Sequence, residues 1–391
     1  MEPIADPPYA ERPTDPGRPP QRRQGFGRGR VVGLVVLLAL SPILVSYGRA
    51  LTAPGDDSVF IRTVEWVRDH GGAGLVSEVE RLWYTANAPP TGGPPPEIPA
   101  APEAEVAPTA PTAAPESSDM ELPLAISSPA SPTLPGEGEW RPAGRLVNGR
   151  SAVLTTFVRP DDVHTSLLVG VARLDPKLLA YHYVAGLTEP GGGPGPEGGK
   201  LPKAWLKGLV ATFNSGFKHD DCLGGALVAG RTEGKMVDGM ATFVVDTDGA
   251  AHVGAWGSAE LPAADHIAGA RQNLSLIVDG GAVASDIGGS DELRWGKTLG
   301  RTVLVWRSGV GETADGAIVY VAGPGFTVAS LSDILQRAGA VRAMQLDIND
   351  NWVSFMTWTD GKPSNLLKDM KKPADRYMQP GNRDFFAATA R

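Results

Sequence analysis

The sequence predicts an α+β fold, with strand-rich mixed sheets and a few helices, in the C-terminal part of the chain. After residue 140, apolar runs of strand length far outnumber amphipathic helical stretches. Several of these runs follow one another with turn sequences between them, such as 246–249 (DTDG), which is typical of antiparallel hairpins. A transmembrane helix and a disordered linker are expected before this domain.

The first 47 residues predict a membrane anchor. Residues 1–30 are polar and rich in proline and arginine, so we expect a disordered cytoplasmic tail. Residues 31–47 (VVGLVVLLALSPILVSY) contain no charged residue and are just long enough to span a bilayer. Arginines on the N-terminal side favour a cytoplasmic N-terminus. We expect a single-pass cell-membrane protein with an extracytoplasmic C-terminal domain; a cleaved signal peptide is the alternative.

Two segments connect this anchor to the domain. Residues 58–86 have apolar positions at helical spacing around Gly71-Gly72, which predicts an amphipathic helical hairpin. The hairpin is expected to lie near the membrane surface or to pack on the domain, and a simple stalk is the alternative. Residues 87–139 are rich in proline and alanine and predict an extended, semi-rigid linker.

The globular domain is predicted over residues 140–391. Thr327 and Gly339 bracket its clearest helix, at 328–338, as the N-terminal cap and the stop signal. The predicted strands are 151–158, 166–174, 179–184, 208–213, 241–245, 251–256, 274–278, 302–306 and 317–321.

Charge and cysteine content exclude some classes of protein. The formal net charge of −8 argues against nucleic acid as a partner. Cys222 is the one cysteine, so no intrachain disulfide forms, and we expect a small semi-buried residue rather than a nucleophile.

The segment 301–351 predicts a polar site. It reads as strand, turn, strand, helix and strand, and the last strand ends in a cluster that contains Asp347, Asn349 and Asp350. A strand fixed by the scaffold commonly presents such residues to a ligand. Their oxygens also suit a hard cation such as calcium, but the glycine and distal glutamate of a helix-loop-helix calcium site are missing. We therefore predict no metal or other cofactor.

A second polar cluster follows the apolar strand near residue 213. Asn214 is placed to hold a substrate hydroxyl, Lys218 a phosphate or carboxylate, and His219 to exchange protons. The alternative is an Asx-type turn with solvated charges. Asp279 lies just after another strand, in an Asp-Gly sequence that is also a common hairpin turn. Arg301 directly precedes the predicted strand 302–306 and is either a clamp for phosphate or carboxylate or an ordinary edge-strand arginine.

Taken in order, five motifs resemble the phosphodiester glycosidase family, which includes the lysosomal enzyme that uncovers mannose 6-phosphate by removing N-acetylglucosamine. Each is weak alone, and their shared order over about 205–360 carries the resemblance. The motifs are 213–217 (FNSGF), 224–230 (GGALVAG), Arg271 with 279–280 (DG), 300–302 (GRT) and 343–347 (AMQLD).

The resemblance implies hydrolysis of a sugar-1-phosphodiester, here in an envelope glycan. Asp347 and Asp279 would then be catalytic carboxylates that divide acid and base roles if they face each other. Asn214 and Arg301 would hold the sugar and the phosphate. The family motif Leu-Asp-Gly-Gly-Gly-Ser departs here to 346–351 (LDINDN), so bulky Ile348 replaces the first glycine. A non-catalytic glycan-binding protein of the envelope is the alternative.

Overall fold

The computed structural model describes residues 28–55, 57–99, 122–287, 293–296 and 303–391. Most of the predicted tail, the middle of the predicted linker and Arg301 lie outside the described residues. The described α-helices are α1 (Arg28–Leu51), α2 (Val59–Val67), α3 (Ala73–Ala86), α4 (His219–Cys222) and α5 (Val328–Arg337). None of the helices in the described ranges has both the length and the apolar character that a membrane span needs.

The described strands lie between residues 141 and 390. They are β1 (Arg141–Val147), β2 (Arg150–Val158), β3 (Val169–Leu174), β4 (Leu179–Val184), β5 (Leu209–Asn214), β6 (Ala226–Val228), β7 (Arg231–Glu233), β8 (Ala241–Asp246), β9 (Ala251–Ala255), β10 (Ile267–Gln272), β11 (Leu276–Asp279), β12 (Ala282–Val283), β13 (Val305–Thr313), β14 (Ile318–Phe326), β15 (Ala340–Ile348), β16 (Phe355–Thr359), β17 (Lys362–Asn365) and β18 (Phe385–Ala390).

These strands form three antiparallel sheets within the described part of the chain, and this strand-rich architecture with few helices agrees with the predicted α+β class. The first sheet has the order β1-β2-β3-β14-β13-β15-β11-β12. The second is β7-β6-β10-β8-β9, and the third is β17-β16-β5-β18-β4. Neighbouring strands in all three pair antiparallel, as hairpin-connected strands do.

The core is centred on Phe213, where the three sheets meet. Its ring lies 5.9 Å from the ring of Phe243 in β8 and 5.5 Å from that of Tyr320 in β14. Phe213 itself belongs to β5, so these contacts join one strand from each sheet. All three rings are fully buried, and aromatic packing of this kind stabilises the end of β5 that leads into the predicted polar cluster.

Local sequence fixes the approach of β15 to the same region. The Thr327 side chain accepts a hydrogen bond from the Ser330 backbone N–H, and the Ser330 hydroxyl accepts one from the Thr327 N–H, a capping box that starts α5 as predicted. Gly339 ends the helix with a φ of +91°, a backbone conformation that glycine adopts without a steric penalty. The next residue begins β15, whose far end carries Asp347.

The end of the predicted linker packs on the domain instead of extending from it. Ile126 is only 2% exposed, and Glu137 receives hydrogen bonds from the Arg159 backbone N–H (2.8 Å) and its guanidinium (2.9 Å). Both side chains of this ion pair are almost fully buried. The prediction of an extended linker relied on proline content. It did not take account of Ile126 and Glu137, the individual side chains that bind residues 122–139 to the domain.

The predicted hairpin consists of α2 and α3, with a turn at Gly71, whose φ is +90°. Of the alternatives left open by the sequence, the structure has the hairpin packing on the domain. Lys218 pairs with Glu65 and Asp69 of the hairpin, and Lys372 pairs with Asp57 just before it, at 2.7 Å.

Candidate functional site

A cavity of about 110 Å³ lies between the hairpin and the ends of several strands. Its lining combines charged side chains of the domain with aromatic side chains and one face of α2. The domain residues that line it are Phe217, Lys218, Asp221, Trp295, Gly296, Arg307, Asp347, Ile348, Asn349, Asn351, Trp352 and Arg383, and the hairpin residues are Phe60, Ile61, Val64, Glu65, Arg68 and Glu80.

The strand ends meet here because β5 and β15 are joined across two sheets. The Asp347 backbone N–H donates to the Ser215 carbonyl at 3.1 Å. The Ser308 hydroxyl of β13 donates to the Asp347 carbonyl at 2.8 Å. These bonds fix the backbone of Asp347 on both sides, so its side chain is held by rigid strands, as a precise site requires.

Asp347 is buried and yet charged groups surround it. Burial raises the pKa of its carboxyl to about 6, because a low-dielectric environment disfavours the charged form. The Arg383 guanidinium, which donates to this carboxylate, opposes that effect, as does the Ile348 backbone N–H at 2.9 Å. A carboxyl group with such a pKa exchanges protons near neutral pH.

Two arginines line the floor of the cavity with Asp347. Arg383 donates to the Gly216 carbonyl at 3.0 Å and lies over the Trp352 ring, 5.0 Å from its centre. Arg307, in β13, donates to the Phe326 carbonyl at 3.0 Å, and burial lowers its pKa to about 10. Both side chains are therefore fixed cations in a buried site.

Lys218 supplies a third cation at the edge under α2. Its side chain is 15% exposed, and its ammonium group contacts the carboxylate of Glu65 and, at 2.9 Å, that of Asp69. Burial alone would lower the pKa of Lys218, but the neighbouring carboxylates, Glu65 first, raise it. The predicted phosphate or carboxylate ligand of Lys218 is thus a carboxylate of this same chain in the structure.

The altered motif after Asp347 forms one rim of the cavity. Asn349 has a φ of +78°, and its side-chain oxygen accepts from the Asn351 backbone N–H at 3.0 Å. Ile348 also lines the cavity and packs against the buried cluster of Phe217, Cys222 and Leu274. Asp350 does not line it and pairs with Lys371 at 2.5 Å.

Asn214 lies at the end of β5, but its amide is used inside the protein. Its Oδ1 accepts from the Tyr320 hydroxyl at 2.8 Å and from the Ser354 N–H at 3.0 Å, and its Nδ2 donates to the Ser308 hydroxyl at 3.0 Å. Asn214 is 4% exposed and is not among the cavity-lining residues. The structure thus gives it a role in holding the strand ends together.

Asp279 and His219 are also outside the cavity lining. Asp279 is exposed in the tight β11–β12 hairpin. Its Asp-Gly sequence thus forms the hairpin turn that was predicted as the alternative to a site residue. Its neighbour Val278 pairs with Ala343, which lies four residues, or roughly 13 Å, from Asp347 along β15. Asp279 lies one residue farther from Asp347, because β11 and β15 are antiparallel. The His219 backbone N–H donates to Glu189 at 2.8 Å.

No cluster of three or more His, Cys, Asp or Glu side chains in the described residues is arranged to hold a metal ion. The predictions of cofactor and metal stay predictions. Cys222 is fully buried, and its sulfur accepts from the Arg271 guanidinium at 3.1 Å, which agrees with a structural residue.

Sequence reasoning missed Arg383, Arg307, Trp352 and Glu65. Arg383 and Trp352 follow no recognisable motif, and Arg307 stands within an apolar strand where a buried cation is not expected. Glu65 reads as a polar position of an amphipathic helix. The sequence offered one signal for Glu65, namely the alternative in which the hairpin packs on the domain. It did not indicate which face of the hairpin would contact the domain.

No family model and no curated protein matches the chain. Among solved structures, a zebrafish N-acetylglucosamine-1-phosphodiester alpha-N-acetylglucosaminidase catalytic domain, auto-inhibited by its pro-peptide, is 15% identical, with a TM-score of 0.39 over 65% of this chain and 88% of that chain. A hypothetical protein from Synechocystis is 12% identical, with a TM-score of 0.36 over 64% of each chain. A putative exported protein from Burkholderia pseudomallei is 13% identical, with a TM-score of 0.32 over 59% of this chain and 75% of that chain. These similarities are weak, so membership in the phosphodiester glycosidase family stays a prediction from the motifs.

Proposed function

We propose that this protein is a membrane-tethered, extracytoplasmic hydrolase that cleaves a sugar-1-phosphodiester in an envelope glycan. The observation that carries the proposal is the buried Asp347 carboxyl, which forms an ion pair with Arg383 and lines the same cavity as Arg307. Burial raises the pKa of this carboxyl to about 6. A proton-exchanging carboxyl beside buried cations suits a reaction that activates water next to an anionic group.

In this reaction Asp347 acts as the base. It accepts a proton from a water molecule whose oxygen bonds to the anomeric carbon of the sugar. The bond from that carbon to the phosphate oxygen breaks, and the phosphomonoester departs with the bonding electrons. The free sugar and the phosphomonoester are the products, and Asp347 later releases the proton to solvent. Arg383 favours the ionised form of Asp347, and cations at the site compensate the charge of the departing phosphate.

This assignment uses one carboxylate of the cavity floor, whereas the motif resemblance implied two. Asp279 lies in an exposed turn, and we give it no role in the proposed reaction. Asn349 is retained as a substrate-binding residue because it lines the cavity rim. The envelope location and membrane anchor are part of the proposal and rest on the apolar run at 31–47.

The test is hydrolysis of sugar-1-phosphodiesters by the full-length protein, with released sugar and phosphomonoester measured together. We expect equimolar products from the native protein and a loss of at least about a hundredfold in kcat for Asp347→Asn. Asp333→Asn, on the exposed face of α5, is the matched control and should leave kcat unchanged. Equal turnover by Asp347→Asn and the native protein would refute the assignment.

A non-catalytic glycan-binding role is the second candidate, and Ile348 is the observation that favours it. It lines the cavity next to Asp347, at the position where the resembled family has a glycine. Saturable binding of envelope polysaccharide without any released sugar would support this role over hydrolysis.

A further inference from the structure

A second cavity, of about 390 Å³, lies between the edge strand β4 and the β8–β9 hairpin. We call it the β4 groove; it is lined mainly by residues 180–183, 245–249 and 268–269 together with Glu197 and Trp205. No residue lines both this groove and the cavity that contains Asp347. Its volume falls within the range of roughly 300–1,000 Å³ that is usual for pockets of small organic ligands. The groove is therefore a separate candidate binding site.

One wall of the β4 groove is aromatic. The rings of His182 and Trp205 are stacked, with their centres 4.1 Å apart and an angle of 25° between their planes. A hydrogen bond of 2.9 Å joins His182 Nε2 to the Thr389 hydroxyl, and Trp205 packs against the buried cluster that contains Leu201 and Leu209. Trp205 nevertheless stays partly exposed. The stack gives the groove a fixed, flat apolar surface, and the negative face of an aromatic ring attracts the C–H groups of a ligand.

Two carboxylates in the groove have no partner within the described part of the chain. Glu197 and Asp248 both line the groove, and neither carboxylate forms an ion pair or a hydrogen bond with another described residue. Asp248 lies in the turn of the β8–β9 hairpin, and the Arg391 guanidinium holds this turn by donating to the Asp248 backbone carbonyl at 2.9 Å. An ionised carboxylate accepts hydrogen bonds and donates none. Both groups therefore select a ligand that carries hydrogen-bond donors.

Tyr181 adds a buried hydroxyl to this set of polar groups. Tyr181 lines the groove and is 2% exposed, and its hydroxyl has no hydrogen-bond partner among the described residues. A buried polar group of this kind calls for a partner from outside the chain. The described residues that line the groove include no lysine or arginine, so no side chain there compensates a negative charge on a ligand. The groove thus favours a ligand with an apolar face, several donors and no anionic group.

We propose that the β4 groove binds an uncharged saccharide unit. A sugar ring has an apolar C–H face that fits the stack of His182 and Trp205, and its hydroxyl groups donate to the carboxylates of Glu197 and Asp248. The same two carboxylates repel an anionic sugar. Assigning the saccharide to the envelope glycan rests on the proposed function. In that case the groove holds a part of the glycan away from the scissile bond, and this second contact raises the effective concentration of the substrate at the cavity.

The test measures saccharide binding by isothermal titration calorimetry on the full-length protein. Maltotriose and cellotriose are the uncharged probes, and a trisaccharide of galacturonic acid is the charged probe. We expect an uncharged probe to bind and the charged probe to bind at least about tenfold more weakly. Trp205→Ala should weaken the binding of the uncharged probe at least about tenfold, because the aromatic surface is lost. Trp83→Ala, at an exposed tryptophan of α3 outside the groove, is the matched control and should bind like the native protein.

A second variant makes the test independent of the packing of Trp205. Glu197→Gln combined with Asp248→Asn removes both charges and keeps the size of the side chains. The charged probe should therefore bind about tenfold more tightly than to the native protein, whereas the uncharged probe should bind no more tightly. Damage to the fold would instead weaken both. Glu139→Gln, at an exposed carboxylate outside the groove, should leave both affinities unchanged.

Three results would each overturn the proposal. They are no binding of either uncharged probe, native affinity in Trp205→Ala, and an unchanged preference for the uncharged probe in the double variant of Glu197 and Asp248. Turnover is read out separately, since the groove and the cavity share no lining residue. Saccharide binding in the groove without sugar release from a sugar-1-phosphodiester would leave the groove proposal standing and reject the hydrolase, and sugar release without groove binding would do the reverse.

Discussion

Arg383 and Asp347 form an ion pair in which both side chains are more than nine-tenths buried. They come from different strands: Asp347 lies near the end of β15, and Arg383 lies two residues before β18. The pair therefore links the first sheet to the third sheet at the floor of the cavity. The strength of this ion pair affects the protonation state of Asp347 and the stability of the contact between the two sheets.

The pH dependence of activity should report the Asp347 carboxyl. If Asp347 is the base, kcat/KM rises about tenfold per pH unit on the acid side and levels off above pH about 6, the value to which burial raises its pKa. Steady-state kinetics on a soluble sugar-1-phosphodiester from pH 4.5 to 8 measures this. A rate that falls as the pH rises through 6 would instead identify a general acid.

The same carboxyl should make folding stability depend on pH. Its pKa of about 6 in the folded protein exceeds the ordinary value near 4, so the folded state binds this proton more tightly than the unfolded chain. Its contribution to stability is fully present below pH about 4 and is lost as the pH rises to about 6, by about 3 kcal/mol. Urea unfolding of the native protein and Asp347→Asn at pH 4.5 and 7 measures the difference, and parallel pH profiles for the two proteins would contradict the prediction.

Removing Arg383 should destabilise the protein strongly. Arg383→Met leaves the buried Asp347 carboxylate without its guanidinium partner, which typically costs about 3–5 kcal/mol. The double variant with Asp347→Asn should be less destabilised than the two single changes added together. The control Arg337→Met breaks a half-exposed pair with Asp333 and should cost about 1 kcal/mol or less. If the losses of unfolding free energy from the two single changes simply add up in the double variant, the two residues do not interact.

The buried pair of Glu137 and Arg159 should hold residues 122–139 on the domain. Burial alone would raise the pKa of Glu137, but hydrogen bonds from Arg159 and from backbone N–H groups lower it overall. Its stabilising effect is thus present above the ordinary pKa near 4 and is lost as the pH falls below it. Arg159→Met should expose 122–139 to limited proteolysis at pH 7, and digestion as slow as that of the native protein would refute this role.

Asn349 allows backbone and side-chain roles to be separated. Asn349→Gly keeps the left-handed backbone without strain and removes the amide from the cavity rim, so the fold should persist while KM for the phosphodiester rises several-fold. Asn349→Ala removes the same amide and adds backbone strain of about 1 kcal/mol. Unfolding curves and kinetics of both variants separate the effects. An unchanged KM in Asn349→Gly would exclude a binding role for the amide.

The sequence predicted the local features of the fold well. The helix at α5 and most strands follow from apolar period and from turn residues, and Gly71 and Gly339 mark real chain reversals. Asp347 and Lys218 were recognised because a polar cluster after an apolar strand is a local pattern. Both line the cavity, although their proposed roles await the experiments above.

The partners of these residues were not predictable in the same way. Arg383 is 36 residues from Asp347, and Glu65 is far from Lys218 along the chain, so no short motif contains either pair. Asn214 illustrates the converse: its position after an apolar strand suggested a ligand, but packing of Tyr320 and Ser354 against it uses the amide as internal structure. Whether a polar strand end faces a cavity or a neighbouring sheet depends on the tertiary arrangement.

The placement of β18 has a consequence for how the protein folds. This strand lies between β5 and β4 in the third sheet, and Phe385 pairs with both Asn214 and Val184. Contacts that span so much of the chain close late, since loop-closure entropy must be overcome before pairing stabilises the product. One edge of β5 and one edge of β4 stay unpaired until β18 inserts between them. Arg383 lies two residues before β18 and is positioned in the same step. We therefore expect the site to be complete only once β18 has paired, because the ion pair of Arg383 and Asp347 needs both strands in place.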